Sequence, residues 1–164
     1  MTETPVMRPA TAGDREAVWS IIGPILRDGE TYALDRDIGK TDALAYWLGG
    51  DRSTFVAELA GAIVGTYYLK RNQAGGGSHI ANCGYAVSQA ARGRGIARAM
   101  ARHSLAEAKA RGFRAMQYNF VVATNLGAIH LWESLGFRTL TRLPNAFDHP
   151  REGLVDACVM WREL

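Results

Sequence analysis

A chain of 164 residues, 48% hydrophobic and 21% charged, has the composition of a globular protein and enough length to bury a core as one domain, residues 1–164. Its net charge of +3 at pH 7 is modest for a nucleic-acid binder, and no apolar run approaches the roughly 20 residues of a membrane helix, so neither nucleic acid nor membrane is an expected partner. The two cysteines, Cys83 and Cys158, sit in apolar strand-like runs and read as buried reduced thiols; with no apolar segment in Met1 to Arg8 to serve as a signal peptide, a cytoplasmic location is expected.

Taken along the chain, Val6–Arg8 is predicted as a short strand. A helix begins at Thr11 or Asp14 and runs to about Leu26, with Val18, Ile21, Ile22 and Ile25 on one side. Gly23-Pro24 is expected to kink or end its regular part. Arg27 to Lys40 is polar and loop-like, and Thr41–Leu48 reads as a second short helix closed by Gly49-Gly50. Thr54–Leu59 and Ala62–Lys70 form a hairpin around Ala60-Gly61, and Asn72–Ser78, with three consecutive glycines, is a surface turn. His79–Val87 is the next strand, Gly95–Ala110 a long helix, and Arg114–Phe120 another strand. A helix opened by Thr124 or Asn125 follows. After Phe137, Arg138–Arg142 and Leu154–Arg162 make a last strand pair separated by a loop, Leu143–Gly153.

Chemistry concentrates first at Arg92-Gly93-Arg94-Gly95-Ile96-Ala97, between a strand and the long helix. Two glycines let the backbone turn sharply and approach a ligand closely, and a helix N-terminus presents free N–H groups to an anion. The stretch therefore reads as a phosphate cradle. It is not a Walker loop, since no Gly-Lys-Ser/Thr follows. It is not the dinucleotide fingerprint either, since Arg98 stands where the third Gly or Ala belongs. What it fits is Arg/Gln-x-x-Gly-x-Gly/Ala, through Arg92, Gly95 and Ala97.

The second segment is Asn125 to Phe137. Thr124 or Asn125 can cap a helix whose Ala128, Leu131, Trp132 and Leu135 share one apolar stripe, and Gly136 suits its C-terminal turn, with Phe137 able to pack back on the last turn. These two motifs, in this order and with a strand between them, resemble the GNAT superfamily of acyl-CoA N-acyltransferases. The resemblance implies an α/β fold with a mixed, mostly antiparallel sheet and helices on both faces. It implies acetyl-CoA as co-substrate and the amine of a small molecule as acceptor. By the match of motifs, cofactor contacts fall to Tyr85, Ala86, Val87, Arg92, Gly93, Arg94, Gly95, Ile96, Ala97, Arg98, Asn125 and Trp132. GNAT proteins are often dimers, so a homodimer is compatible with it. A non-catalytic acyl-CoA-binding module is the alternative from another class.

Arg94, Arg98 and Arg102 are spaced four apart and form one stripe at the start of the long helix. They read as attraction to coenzyme A phosphates, as a solvated helix face, or as a mixture; a nucleic-acid face is disfavoured because no aromatic residues interleave with them. No His/Cys/Asp/Glu cluster has zinc spacing, so no metal is expected.

On the acceptor side the chain departs from the family pattern. Asn82 stands where a Glu often serves as base, and Trp132 where a Tyr often lies near the sulfur. Asn does not act as a base at neutral pH, and an indole is a donor only. Three readings stay open: positioning and carbonyl polarisation with water carrying protons, another ionisable group among Tyr85, Tyr118, His79 and His130, or binding without catalysis. For the first, Asn82 and Asn119, on the two strands that splay around the thioester in this fold, are the catalytic candidates. The asparagines, Trp132 and the segment Pro144–Pro150 also resemble the branch that includes fungal proline-analogue acetyltransferases, which points to an amino-acid-like substrate. Trp19, Trp47, Tyr32 and Tyr46 are candidates to line the acceptor pocket, with Trp19 more in keeping with the core and Tyr32, in the polar loop, the better pocket candidate. His103, His130 and His149 read as helix-surface and turn residues.

Overall fold

Strand alternation places successive side chains on opposite faces of a sheet, and here both faces carry apolar residues that helices must cover. The computed structural model describes residues 4–164. In chain order the elements are β1 (Val6–Pro9), α1 (Arg15–Asp28), α2 (Lys40–Leu48), β2 (Ser53–Leu59), β3 (Ala62–Arg71), β4 (Ile80–Val87), α3 (Ile96–Ala110), β5 (Ala115–Val122), α4 (Leu126–Ser134), β6 (Arg138–His149) and β7 (Gly153–Glu163). The strands form one sheet in the order β1-β2-β3-β4-β5-β7-β6. All neighbours are antiparallel except β4 and β5.

Helices cover both faces, as expected. On one face α3 and α4 bury Met100, Leu105 and Trp132 against Tyr67, Met116, Tyr118 and Phe137. On the other, α1 and α2 bury Val18, Ile22, Leu26, Leu44 and Trp47 against Val56, Tyr68 and Ala86. Close approach of α3 depends on Gly65 in β3, where a Cβ would lie 3.0 Å from both Ile96 and Met100. The predicted hairpin is present, with Ala60 at φ 51° and Gly61 at φ 77°, the two positive values of a type I′ turn. Cys83 and Cys158 are both buried and free. Among the described residues, no helix is long and apolar enough to cross a membrane.

Two expectations are corrected. Pro24 does not end α1, which continues to Asp28 and stops at Gly29 in the left-handed conformation, φ 66°. An internal proline costs about 3 kcal/mol. Burying Ile21, Ile22 and Leu26, at roughly 2 kcal/mol each, outweighs it. The segment 143–153 is not a loop either. β6 runs on to His149, bulging between Leu143 and Phe147, and β7 starts at Gly153. Pro144-Asn145 is absorbed by that bulge: Asn145 takes φ 52° and its N–H donates to Asp156 Oδ1 at 3.0 Å. Beyond it Phe147 is buried beside Phe120, and His149 Nδ1 accepts the N–H groups of Arg151 and Glu152, which tightens the turn.

The feature that positions the site is the β4–β5 junction. The two parallel strands pair only at Ile80↔Ala115 and Ala81↔Met116, then diverge. Everything beyond Ala81 and Met116 borders an open wedge in the middle of the sheet.

Candidate active site

The wedge opens into a groove of about 740 Å³. Its walls come from the end of α1 and the loop after it, Tyr46 of α2, Tyr68 of β3, β4, the loop before α3 and its first turn, the outer half of β5, and α4.

One end presents backbone donors and basic side chains. Gly93 (φ 75°) and Gly95 (φ 78°) turn the chain from β4 into α3. A Cβ on either would meet no atom within 4 Å, so these glycines are required by conformation and by an open approach to the backbone, not by crowding. Gly95 is the N-cap and has no side chain to offer, which leaves the first N–H groups of α3 free for a ligand. Arg92, Gly93 and Ala97 line the groove. Arg94, Gly95 and Arg98 belong to the same turn and first helical turn but do not line the groove, and the Ile96 side chain is buried in the core, so only its backbone can face a ligand. Among the described residues, Arg92, Arg94, Arg98 and Arg102 are in no salt bridge, and their charge is left to the solvent and to whatever binds.

The face of β4 toward α3 carries a buried hydroxyl network. Tyr85 Oη lies 2.7 Å from Ser104 Oγ and 2.8 Å from Tyr118 Oη, and Ser104 donates to the Ala101 carbonyl. Burial pushes both phenols well above their ordinary value, and the same cause pushes the Cys83 thiol up to about 12. At neutral pH these groups keep their protons. Trp132 joins them, 5.0 Å from Tyr85 and 4.9 Å from Tyr118 between ring centres, and Phe137 stacks on Tyr118 at 4.3 Å. Trp132 reaches this place because α4 is held at both ends. Asn125 Oδ1 accepts from Ala128 N–H, and Gly136 (φ 89°) closes a turn in which Phe137 N–H returns to the Trp132 carbonyl.

The opposite face, toward α1 and α2, carries amides and phenols. Asn82 is buried, and its Nδ2 donates to the Gln117 carbonyl at 2.9 Å. This bond spans β4 and β5 just past their last pair, so the side chain braces the wedge where the ladder ends. Gln117 Nε2 donates to Asn119 Oδ1, and Asn119 Nδ2 to Asn72 Oδ1. Asn82 and Asn119 both line the groove, Asn82 enclosed and Asn119 exposed. Tyr32 reaches in from the loop after α1 and donates to the Tyr85 carbonyl. Tyr46 and Tyr68 share a hydroxyl contact at 3.3 Å, and the Arg52 guanidinium lies over both rings. Tyr68 fits across β4 because position 84 is glycine; a Cβ there would fall 2.6 Å from its ring.

The remaining candidates lie elsewhere. None of the four histidines lines the groove: His79 and His130 are exposed, His103 meets Tyr67 Oη at 2.6 Å, and His149 holds its turn. Trp47 is fully buried, and Trp19 is half-buried against the Arg27 guanidinium. Among the described residues, no group of three His, Cys, Asp or Glu side chains is placed to hold a metal.

Comparison with known proteins decides the family. The model of the acetyltransferase (GNAT) family matches residues 18–137. The chain belongs to that family. It is an acetyl-CoA-dependent N-acetyltransferase. N-acetyltransferase aca1 of Schizosaccharomyces pombe is 38% identical, the match covering 80% of this chain and 71% of that protein. A solved GCN5-related N-acetyltransferase from Kribbella flavida is 39% identical and superimposes with a TM-score of 0.93 over 98% of each chain. A GNAT superfamily phosphinothricin acetyltransferase from Sinorhizobium meliloti, solved in complex with AcCoA, shares the fold at 22% identity, with a TM-score of 0.85 over 98% of this chain and 89% of that one.

In this GNAT chain several groove contacts escape the motif reading. Gln117 shares a face with Asn119 by strand alternation, so its place was open to inference. Asn72 and Ser104 meet their partners 47 and 19 residues away and leave no local signal. Glu30, which lines the groove and pairs with Arg151 at 2.7 Å, depends on the unforeseen extension of β6 and β7.

Proposed function

We propose that this domain transfers the acetyl group of acetyl-CoA to the amine of a small, amino-acid-like molecule. The observation that carries the proposal is the two-ended groove. One end offers free helix N–H groups and unpaired arginines. The other is lined by amides and phenols, Asn82, Asn119, Tyr32, Tyr46 and Tyr68 among them. The first suits the pyrophosphate of acetyl-CoA. The second suits a compact polar amine better than an extended chain.

In this reading Arg92, Gly93, Arg94, Gly95, Ile96, Ala97 and Arg98 hold the pyrophosphate, Ile96 through its backbone. Tyr85, Ala86 and Val87 on β4 with Asn125 and Trp132 on α4 flank the arm that carries the thioester. Asn82 and Asn119 orient the reactants. With its Nδ2 committed to Gln117, Asn82 keeps Oδ1 to accept from the attacking amine. Positioning of this kind lowers the barrier without a titrating group. The experiment is a screen of amino acids, their amides and polyamines with acetyl-CoA, read by release of free thiol. Release with compact amino-acid-like amines is the expected result. Tight acetyl-CoA binding with no release from any amine would favour a binding module instead.

A further inference from the structure

Resting on that reading, the groove also bears on which amines the enzyme takes. Its titratable and charged lining is short: the carboxylates Asp28 and Glu30, the Arg92 guanidinium, the Cys83 thiol, and the phenols Tyr32, Tyr46, Tyr68, Tyr85 and Tyr118. Among the described residues, no imidazole lines it. The two carboxylates belong to the end of α1 and the loop beyond, and Glu30 is already paired with Arg151. Around the wedge itself, where β4 and β5 part, stand two amides, a thiol and two phenols. Burial holds the Cys83, Tyr85 and Tyr118 protons in place, and Tyr32 and Tyr68 are raised by the same cause. The Asn82 amide has no proton to accept or release in this range.

We infer that the acceptor amine enters already as its free base, and that the site selects small amines made weakly basic by an electron-withdrawing neighbour, such as α-amino amides, over alkyl amines of the lysine or polyamine type.

The step balances without a protein base. The amine lone pair forms the N–C bond to the thioester carbonyl carbon and the C–S bond breaks. The nitrogen gives its extra proton to water, and the departing thiolate takes one from water, so amide and free thiol are formed with no net proton change. The selectivity follows from populations. An α-amino group with a pKa of about 7.8 is about 14% free base at pH 7, and a lysine-type amine with a pKa of about 10.4 only about 0.04%. The weaker base therefore has an advantage of about 300-fold in reactive form at that pH, reduced by whatever the stronger base recovers through greater nucleophilicity.

The test measures kcat and kcat/KM from pH 6 to 10 with aminoacetonitrile, glycinamide and propylamine, which are of similar size and increase in basicity in that order. The inference requires kcat to stay flat, and kcat/KM to follow each amine's own free-base fraction: nearly level across the range for aminoacetonitrile, levelling off inside it for glycinamide, and still rising at pH 10 for propylamine. It requires the same profiles in Glu30→Gln and Asp28→Asn. A break at one fixed pH for all three amines, lost in either variant, overturns the inference and assigns the base to that carboxylate while leaving the small-amine reading intact. No thiol release from these amines or from the wider screen overturns the small-amine reading, and this inference falls with it.

Discussion

Gly95→Asp puts a carboxylate at the N-cap of α3 and tests the phosphate cradle directly. A Cβ at position 95 meets nothing within 4 Å, so the variant is not blocked by sterics. Its φ of 78° costs an L-residue about 1 kcal/mol, but that strain is present with and without ligand, so it appears in the melting temperature and not in the affinity. The charge acts on binding alone. A carboxylate about 5 Å from one phosphate charge repels it by roughly 0.8 kcal/mol in water and roughly 3 kcal/mol at the effective dielectric of a protein surface. Acetyl-CoA affinity is therefore expected to fall between about fourfold and about two-hundredfold, and the loss should narrow at high salt. Calorimetry on folded protein reads it, with Gly95→Ala as the control that adds the Cβ without the charge. Near-wild-type binding by the alanine variant with clearly weaker binding by the aspartate variant supports the cradle. Equal affinities for the wild type and both variants would refute it.

Asn82→Ala is expected to lower kcat by about 10²-fold with acetyl-CoA affinity nearly unchanged, whereas the exposed Asn119→Ala should act mainly on the KM of the amine; steady-state kinetics with melting curves separate the two. If both keep full activity while Tyr85→Phe or Tyr118→Phe abolishes it, a tyrosine and not the asparagines carries the step. Trp132→Phe leaves the cluster with Tyr85, Tyr118 and Phe137 underfilled and should cost about 1–2 kcal/mol of stability with only a modest loss of turnover. A large loss of kcat at unchanged melting temperature would show that the indole N–H takes part in turnover. Asp14 is held well below the usual carboxylate range by hydrogen bonds from Arg8, assisted by Thr11. A depressed folded-state pKa stabilises the protein above the unfolded value of about 3.9 and is lost as pH falls below it. The gap in melting temperature between wild type and Asp14→Asn should thus be full at pH 6 and shrink toward pH 3; a gap independent of pH would sink that assignment.

The two ends of the groove were not equally legible in the sequence. The anion end is encoded locally. Arg92, Gly93 and Gly95 stand next to the helix they open, and Asn125 and Gly136 are the two caps of one short helix, so adjacency alone predicts the turn and the caps. The acceptor end is assembled from β3, β4, β5 and the loops that follow α1 and β3, and its contacts join residues far apart in the chain. Asn119 shows the limit. Its strand was correctly placed and Gln117 shares its face, but nothing nearby announces that its amide is also held by Asn72. Local turn chemistry also misled once. Pro144 and Asn145 normally interrupt a strand, yet pairing of Phe147 with Val155 and of His149 with Gly153 carries the hairpin past them.

The departure at position 82 has a structural side as well as a chemical one. A carboxylate there would face the Gln117 carbonyl, acceptor against acceptor, in a buried position where an unpaired charge is costly. Asparagine instead donates to that carbonyl and ties β4 to β5 where their ladder ends. A brace at the mouth of the wedge and a proton acceptor at the same point demand opposite hydrogen-bond polarity from one side chain. With asparagine serving the first, and the neighbouring thiol and phenols held protonated by burial, the proton balance of the reaction passes to solvent in the reading proposed above. Asn82→Asp is the sharpest probe of that trade. It keeps the size of the side chain and reverses the polarity toward Gln117, so it should loosen the junction and lower the melting temperature. Any new pH dependence of kcat that appears with it would report the introduced carboxyl and not a group native to the chain.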